Sequence, residues 1–156
     1  MATAIIAVLG TLLGAFAAGL MQHRITLSAR RDRDRRALAA AVAGLLSAAT
    51  DHRRHHYLKQ ASRRAGGEAP PPEAAETRAA RWEAKSAMTK ALTAVTLETD
   101  DPELLRRARE LVEASREVGD PPRDDHPPVA GSGNRSRQAH VAFETAAAQY
   151  LRRARR

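Results

Sequence analysis

The sequence predicts an all-α protein in which a single N-terminal transmembrane helix continues into a cytoplasmic, antiparallel bundle of three or four helices. Three observations predict this fold class. Residues 2–22 contain no charged side chain, apolar residues elsewhere recur at helical rather than alternating spacing, and the prolines lie at the boundaries of the helical stretches. With 156 residues, the chain is long enough for one domain and an appendage.

Residues 2–22 predict the transmembrane helix. At about 1.5 Å per residue, a helix of this length spans roughly 30 Å, which matches the hydrocarbon core of a bilayer. The arginines that follow this segment outnumber its acidic neighbours, Asp32 and Asp34. These arginines are Arg24, Arg30, Arg31, Arg33, Arg35 and Arg36. Because arginines close to a span stay cytoplasmic, we expect a single-pass protein of the cell membrane with its N-terminus outside.

Two alternatives to this signal anchor are a buried helix of a soluble protein and a cleaved signal peptide. The first is disfavoured because the segment is apolar on every face and the rest of the chain is too polar to enclose it. For the second, Ala15, Phe16 and Ala17 fit a cleavage pattern, but no Lys or Arg precedes the apolar segment, as is normal in signal peptides.

Gly10, Gly14 and Ala18 form a row of small residues at intervals of four within this segment. Such a row lies along one face of a helix and allows a second helix to approach closely. It predicts helix pairing in the membrane, either in a homo-oligomer or with another protein. The alternative is that the row reflects the abundance of glycine and alanine in the chain.

Residues 23–37 are predicted to form a basic juxtamembrane stalk. Opposite charges four residues apart, Arg30 with Asp34 and Asp32 with Arg36, favour a solvated helix. The same arginines suit anionic lipid headgroups, at about 1 kcal/mol for each basic residue near the surface.

A helical core is predicted at residues 38–118, divided into helices at 38–65, 73–99 and 102–118. The buried stripe of the first helix is predicted at Leu38, Val42, Leu45 and Ala49. The inner face of the second helix is predicted at Trp82, Met88, Leu92 and Val95. The inner face of the third helix is predicted at Leu104, Ala108, Leu111, Ser115 and Val118.

The start of the third helix has a distinct sequence signal. Asp101 suits the N-cap, Pro102 suits the first helical position and Glu103 complements the helix dipole. Because the connection around Asp100 and Asp101 is short, the second and third helices are predicted to form an antiparallel hairpin.

Residues 119–133 are rich in proline and glycine and predict a flexible loop. A basic C-terminal helix is predicted at residues 134–156. Its inner face is predicted at Ala139, Phe143, Ala146, Ala147 and Tyr150.

The segment Asp51-His52-Arg53-Arg54-His55-His56 is the one local group of residues with candidate chemistry. His52 and His56 lie one helical turn apart, which is the spacing of metal ligands, and His55 is the third candidate. Arg53 and Arg54 would repel a cation, so a basic, solvated helix face is the preferred interpretation and no metal or other cofactor is predicted. The chain has no cysteine, and no nucleophile and base occur at a catalytic spacing. We therefore predict that the protein is not an enzyme and has no small-molecule substrate.

The net charge of +8 makes nucleic acid a candidate binding partner. The stalk arginines and a second set are predicted to contact anionic lipid or, weakly and without sequence preference, DNA; the second set comprises Arg53, Arg54, Arg152, Arg153, Arg155 and Arg156. Aromatic residues make up only 3% of the chain, so stacking on bases is not expected. Acidic residues at the hairpin, including Glu103 and Glu110, argue against sequence-specific recognition.

The N-terminal sequence IIAVLGTLLG at residues 5–14 and the segment DHRRHHYLKQ at residues 51–60 resemble KilB-type proteins of actinobacterial mobile elements. The resemblance implies a small membrane protein of Streptomyces-type conjugative plasmids, involved in plasmid transfer or in intramycelial spread. It also implies other transfer or envelope proteins as partners, and it supplies no catalytic residue.

The sequence thus favours a single-pass, membrane-anchored helical protein that acts by oligomerisation and partner binding at the inner membrane face. The alternative is a membrane-tethered, non-specific DNA-binding module.

Overall fold

A computed structural model of the chain contains four α-helices, which are α1 (Ala2–Ala65), α2 (Ala75–Glu98), α3 (Pro102–Gly119) and α4 (Val129–Arg153). The structure describes residues 2–65, 75–119 and 129–154. Within these ranges there is no β-strand. The predicted all-α class is confirmed.

The chain divides into two compact units, Met1–Arg36 and Ala37–Arg156. The backbone of the first unit is helical from Ala2 onwards, but the side chains of residues 2–18 lie outside the described residues. The predicted small-residue row at Gly10, Gly14 and Ala18 falls there, as does most of the predicted span at 2–22; the side chain of Arg24 is likewise outside them. Across the part of the chain that the structure describes, no helix combines the length and the apolar character that crossing a membrane requires.

The described part of the stalk is exposed to solvent. Arg30, Arg31, Arg33 and Arg36 are exposed, and Arg35 is half-buried. Arg35 lies 3.9 Å from Asp32. This ion pair spans three residues, rather than the four of the predicted pairs.

The second unit has an apolar core to which all four helices contribute. The predicted inner positions of α1 at Leu38, Val42, Leu45 and Ala49 are buried, as are those of α3 from Leu104 to Val118. On α4, Phe143 and Ala147 are buried, and Ala139, Ala146 and Tyr150 pack against the core. Helical periodicity therefore placed three of the four inner faces correctly.

The prediction for Trp82 is wrong, because its side chain is 65% exposed. The inner face of α2 runs through Ala84, Met88 and Val95. At about 100° per residue, Trp82 lies roughly 120° around the helix from Met88. It contacts the ammonium of Lys85, which lies 5.4 Å from the ring centroid.

The predicted start of α3 is confirmed. The amide of Leu104 donates to the Asp101 carboxylate at 2.8 Å, so Asp101 is the N-cap. The hydroxyl of Thr99 accepts from the Asp101 amide at 3.2 Å and fixes the connection. The short connection from Thr99 to Asp101 leads α2 directly into α3.

Helix α4 begins at Val129, five residues before its predicted start. The predicted flexible loop at 119–133 is wrong over its last five residues, which are helical. Ser132 and Gly133 are buried, and a Cβ on Gly133 would lie 2.6 Å from the Tyr57 hydroxyl. Glycine in a helix costs about 1 kcal/mol relative to alanine, and close packing against α1 offsets this cost.

The contacts between α1 and α4 give their relative direction. Arg53 bonds to Ser136 and His140, whereas Tyr57, one turn further along α1, bonds to Arg137 and touches Gly133. Because the later residue of α1 contacts the earlier residues of α4, these two helices are antiparallel.

Candidate functional site

The second unit contains a group of buried polar side chains beyond Ala49. We call this group the polar belt, and it consists of His52, Arg53, His56, Ser115, Ser132 and Ser136. The belt joins α1, α3 and α4. Since buried polar groups are costly unless they find partners, their hydrogen bonds determine what the belt does.

The guanidinium of Arg53 links α1 to α4. Its Nη1 donates to the Ser136 carbonyl at 3.1 Å and to the Ser136 hydroxyl at 3.4 Å. Its Nη2 donates to the Thr50 hydroxyl at 3.2 Å and to Nδ1 of His140 at 3.1 Å. All of these acceptors are neutral groups, so within the described residues no carboxylate is bonded to this buried cation.

The charges around Arg53 make its environment positive. Burial lowers the pKa of Arg53, Tyr57 opposes this shift, and Arg137 adds to it. Burial and then Arg53 lower the pKa of His140, with Glu144 acting in the opposite direction. Because Nδ1 of His140 accepts from Arg53, protonation of that nitrogen would break the bond.

Ser136 connects Arg53 to the middle of the bundle. Its hydroxyl lies 3.1 Å from that of Ser115 on α3, and either oxygen is able to donate. Hydrogen bonds therefore run from His140 through Arg53 and Ser136 to Ser115.

His52 and His56 form a buried pair, with ring centroids 4.6 Å apart. Among the residues that the structure describes, neither ring nitrogen of His52 has a hydrogen-bond partner, although the backbone of Ser115 lies close enough to favour its protonation. Burial and then Lys85 lower the pKa of His52, and His55 and Arg116 lower it further.

Burial also lowers the pKa of His56, to about 4, and four basic neighbours contribute to the shift: His52, Arg81, Lys59 and His55. Both rings are thus held in the neutral form by burial and by cations from α1, α2 and α3. The polar belt has the electrostatics of a site that repels cations.

The three candidate metal ligands separate in the structure. His52 and His56 face each other in the interior, whereas His55 lines a groove between α1 and α2 together with Asp51 and Glu83. Among the described side chains, no three of the metal-binding types come together in a way that would hold an ion.

The predicted solvated face at this segment is wrong for three residues. His52, Arg53 and His56 are at most 9% exposed, because they continue the buried stripe of α1. Arg53 is therefore removed from the predicted lipid- or DNA-binding arginines. Arg54, Arg152 and Arg153 are exposed, while Arg155 and Arg156 lie outside the described residues.

Several arginines of α3 and α4 pair with glutamates. Arg106 lies 2.7 Å from Glu103, and Arg107 lies 2.9 Å from the same carboxylate. Arg135 at the start of α4 pairs with Glu117 on α3 at 2.7 Å. The positive charges of these three arginines are therefore neutralised locally.

Sequence reasoning missed the residues around Tyr57. The phenol is partly exposed, its oxygen accepts from Arg137 at 3.2 Å, and Gly133 leaves room for it against α4. Arg137 also donates to Asn134. The one feature of the sequence that points to this contact is the four-residue spacing of Gly133 and Arg137, which places both on one face of a helix.

The profile of the KilB plasmid transfer protein family matches residues 38–151. No curated protein matches the chain, and neither does any solved structure. The matched range includes DHRRHHYLKQ at residues 51–60 and leaves out residues 5–14, on which the resemblance also rested. The actinobacterial source that the resemblance implied remains a prediction.

Proposed function

From the premise that the chain belongs to the KilB plasmid transfer family, we propose that it serves plasmid transfer as a single-pass, membrane-anchored helical interaction protein. In this proposal the first unit anchors the chain in the cell membrane, and the second unit binds partner proteins at the inner face. The protein acts by assembly and not by catalysis.

The observation that carries this proposal is the coincidence of two boundaries. The compact second unit begins at Ala37, and the family match begins at residue 38. What remains before it is a segment with its own composition, apolar over residues 2–22 and rich in arginine from Arg24 to Arg36. Apolar residues followed by cytoplasmic arginines are the composition of a membrane anchor.

In this proposal the second unit presents a rigid surface to partner proteins. Hydrogen bonds join three of its buried polar residues, Arg53, Ser136 and Ser115, across helices, which fixes the packing of the bundle. The small-residue row at Gly10, Gly14 and Ala18 provides a means of oligomerisation within the membrane.

The test is membrane fractionation of the full chain carrying a C-terminal reporter, with and without Leu12→Arg and Leu13→Arg. We expect the wild type in the membrane pellet after an alkaline wash, with release only by detergent and with the reporter in the cytoplasm. The double variant should move to the supernatant, because an arginine in the middle of a span costs about 2.5–3.5 kcal/mol.

A matched control is Leu104→Ala, which lies in the core of the second unit and should leave fractionation unchanged. In the same membranes, cross-linking of Gly10→Ile with Gly14→Ile should show fewer dimers than the wild type. A wild-type chain in the supernatant without detergent, or a reporter outside the cell, would overturn the anchor.

A further inference from the structure

The positive charges of the second unit are unevenly compensated. Within the described residues, Arg106, Arg107 and Arg135 each pair with a glutamate. No ion pair there engages Arg54 or Arg137, and both are exposed. A guanidinium that makes no ion pair with the described carboxylates is available to an external anion.

Both of these arginines are neighbours of Tyr57. Arg137 donates to the phenol oxygen, and Arg54 precedes Tyr57 by three residues, so their side chains are neighbours on α1. We call Arg54, Tyr57 and Arg137 the Tyr57 surface. Gly133 positions it, since any larger residue there would displace the phenol.

The polar belt adds positive potential behind this surface. Arg53 is buried next to Tyr57 and Arg137, and all of its described hydrogen-bond acceptors are neutral. Burial already disfavours its charge, and repulsion from Arg137 adds to this. An anion bound at the Tyr57 surface would offset both effects, because attraction to a partly buried charge is weakly screened.

From this arrangement we propose that the Tyr57 surface binds phosphate groups of the DNA backbone. Guanidinium groups match phosphate oxygens with paired hydrogen bonds, and tyrosine hydroxyls also donate to them. Such contacts fix a protein on DNA without reading its sequence. The surface carries two of these guanidinium groups together with a phenol.

The position of the surface favours DNA over lipid headgroups, which carry the same phosphate chemistry. Roughly 30 Å of helix separates Ala37, where the second unit begins, from Tyr57. The surface therefore lies near the far end of this unit from the point at which the chain enters it. The choice of DNA over lipid rests on the membrane anchor of the proposed function, whereas the phosphate contacts themselves do not, and their test is made in detergent.

The experiment measures binding of the full chain, in mild detergent, to a labelled DNA duplex of about 30 base pairs over a series of salt concentrations. The variant Arg54→Gln with Arg137→Gln is compared with Arg106→Gln plus Arg107→Gln, which removes the same charge from the ion-paired face. We expect the first pair to weaken binding about tenfold and to reduce the slope of log affinity against log salt by about 2. The second pair should change affinity less than about twofold.

A second measurement resolves the site directly. DNA should protect Arg54 and Arg137 from an arginine-specific reagent, as read by mass spectrometry, and should leave Arg106 and Arg107 unprotected. Equal losses of affinity in both double variants, or no loss in either, would overturn the proposal. So would protection of Arg54 and Arg137 by phosphatidylglycerol in the micelles but not by DNA, because the partner would then be a lipid surface.

Discussion

The second unit has an apolar half and a polar half, and the same helical stripe runs through both. On α1 the buried positions continue at intervals of three or four from Leu38 to Ala49 and on to His52 and His56. On α4, Phe143 and Ala147 are buried in the apolar half, whereas Ser132 and Ser136 are buried in the polar half. The comparison teaches that periodicity determines which side chains are buried, and that residue type determines what their burial contributes.

The two halves depend on different interactions. The apolar half is stabilised by burial of Leu, Val, Met and Phe side chains, worth about 1.5–3 kcal/mol each. The polar half depends on hydrogen bonds whose net contribution is about 1 kcal/mol each, and it contains the His52 imidazole, which has no hydrogen-bond partner among the described residues. We therefore expect the two halves to respond differently to substitution and to pH.

The largest effect is expected from Phe143→Ala in the apolar half. Phe143 is fully buried and lies in the centre of the core. Its truncation removes buried apolar surface and leaves a cavity, which should lower the free energy of unfolding by about 3–5 kcal/mol. Urea unfolding of the full chain in mild detergent, followed by circular dichroism, measures this loss.

The control for this substitution is Val141→Ala on the same helix, because Val141 is largely exposed. It should change the free energy of unfolding by no more than about 0.5 kcal/mol. Similar losses in both variants would mean that Phe143 does not contribute to stability as a core residue.

Acid should act on the polar half and leave the apolar half unaffected. The pKa of His56 is lowered to about 4 in the folded chain, whereas an unfolded histidine titrates near 6.5. The contribution to stability is therefore complete above about pH 6.5 and is lost progressively as the pH falls toward 4. At pH 5 the loss should be roughly 1–2 kcal/mol.

Replacement of both buried histidines by leucine should remove most of this dependence between about pH 7 and pH 5. His55→Leu serves as the control, because His55 is only partly buried, and it should retain the dependence. The pKa of Glu103 is also lowered, by bonds to Arg106 and Arg107, but a carboxylate affects stability below the pH range of this measurement. A flat stability profile in the wild type would show that the imidazoles are solvated.

Sequence reasoning located the apolar half well, because apolar side chains at helical spacing identify an inner face. It identified Leu38, Leu45 and Leu111 correctly, and Asp101 as the cap of α3. The polar half was missed for a physical reason. Histidine and arginine at stripe positions look solvated in a sequence, and only the contacts with α4 show that Arg53 is buried.

Two further features depended on tertiary contacts. Helix α4 begins at Val129, and its Gly133 packs against Tyr57, a contact that offsets the low helix propensity of glycine. The sequence also does not show which arginines form ion pairs. Arg135 pairs with a glutamate on another helix, whereas Arg137, two residues later, bonds to a phenol. In the sequence both arginines carry the same charge, and nothing there indicates that only one of them forms an ion pair with a described glutamate.

The smallest effect is expected from Arg53→Met, although Arg53 is nearly as buried as the core residues. Desolvation of a cation opposes its hydrogen bonds, so replacing a buried charged group by an apolar one of similar length is often close to neutral. After the substitution, Ser136 keeps its contact with Ser115, and the Thr50 hydroxyl keeps its bond to the Leu46 carbonyl. We expect the free energy of unfolding to change by less than about 1.5 kcal/mol.

Arg54→Met is the matched control, since it removes the same charge from an exposed position. The comparison between the two halves predicts that both arginine substitutions cost far less than Phe143→Ala when measured by the same urea unfolding. A loss above about 3 kcal/mol for Arg53→Met alone would mean that its bonds across α1 and α4 hold the polar half together as firmly as apolar packing holds the other half. The two halves would then differ in the type of interaction that holds them together, but not in how much that interaction stabilises the fold.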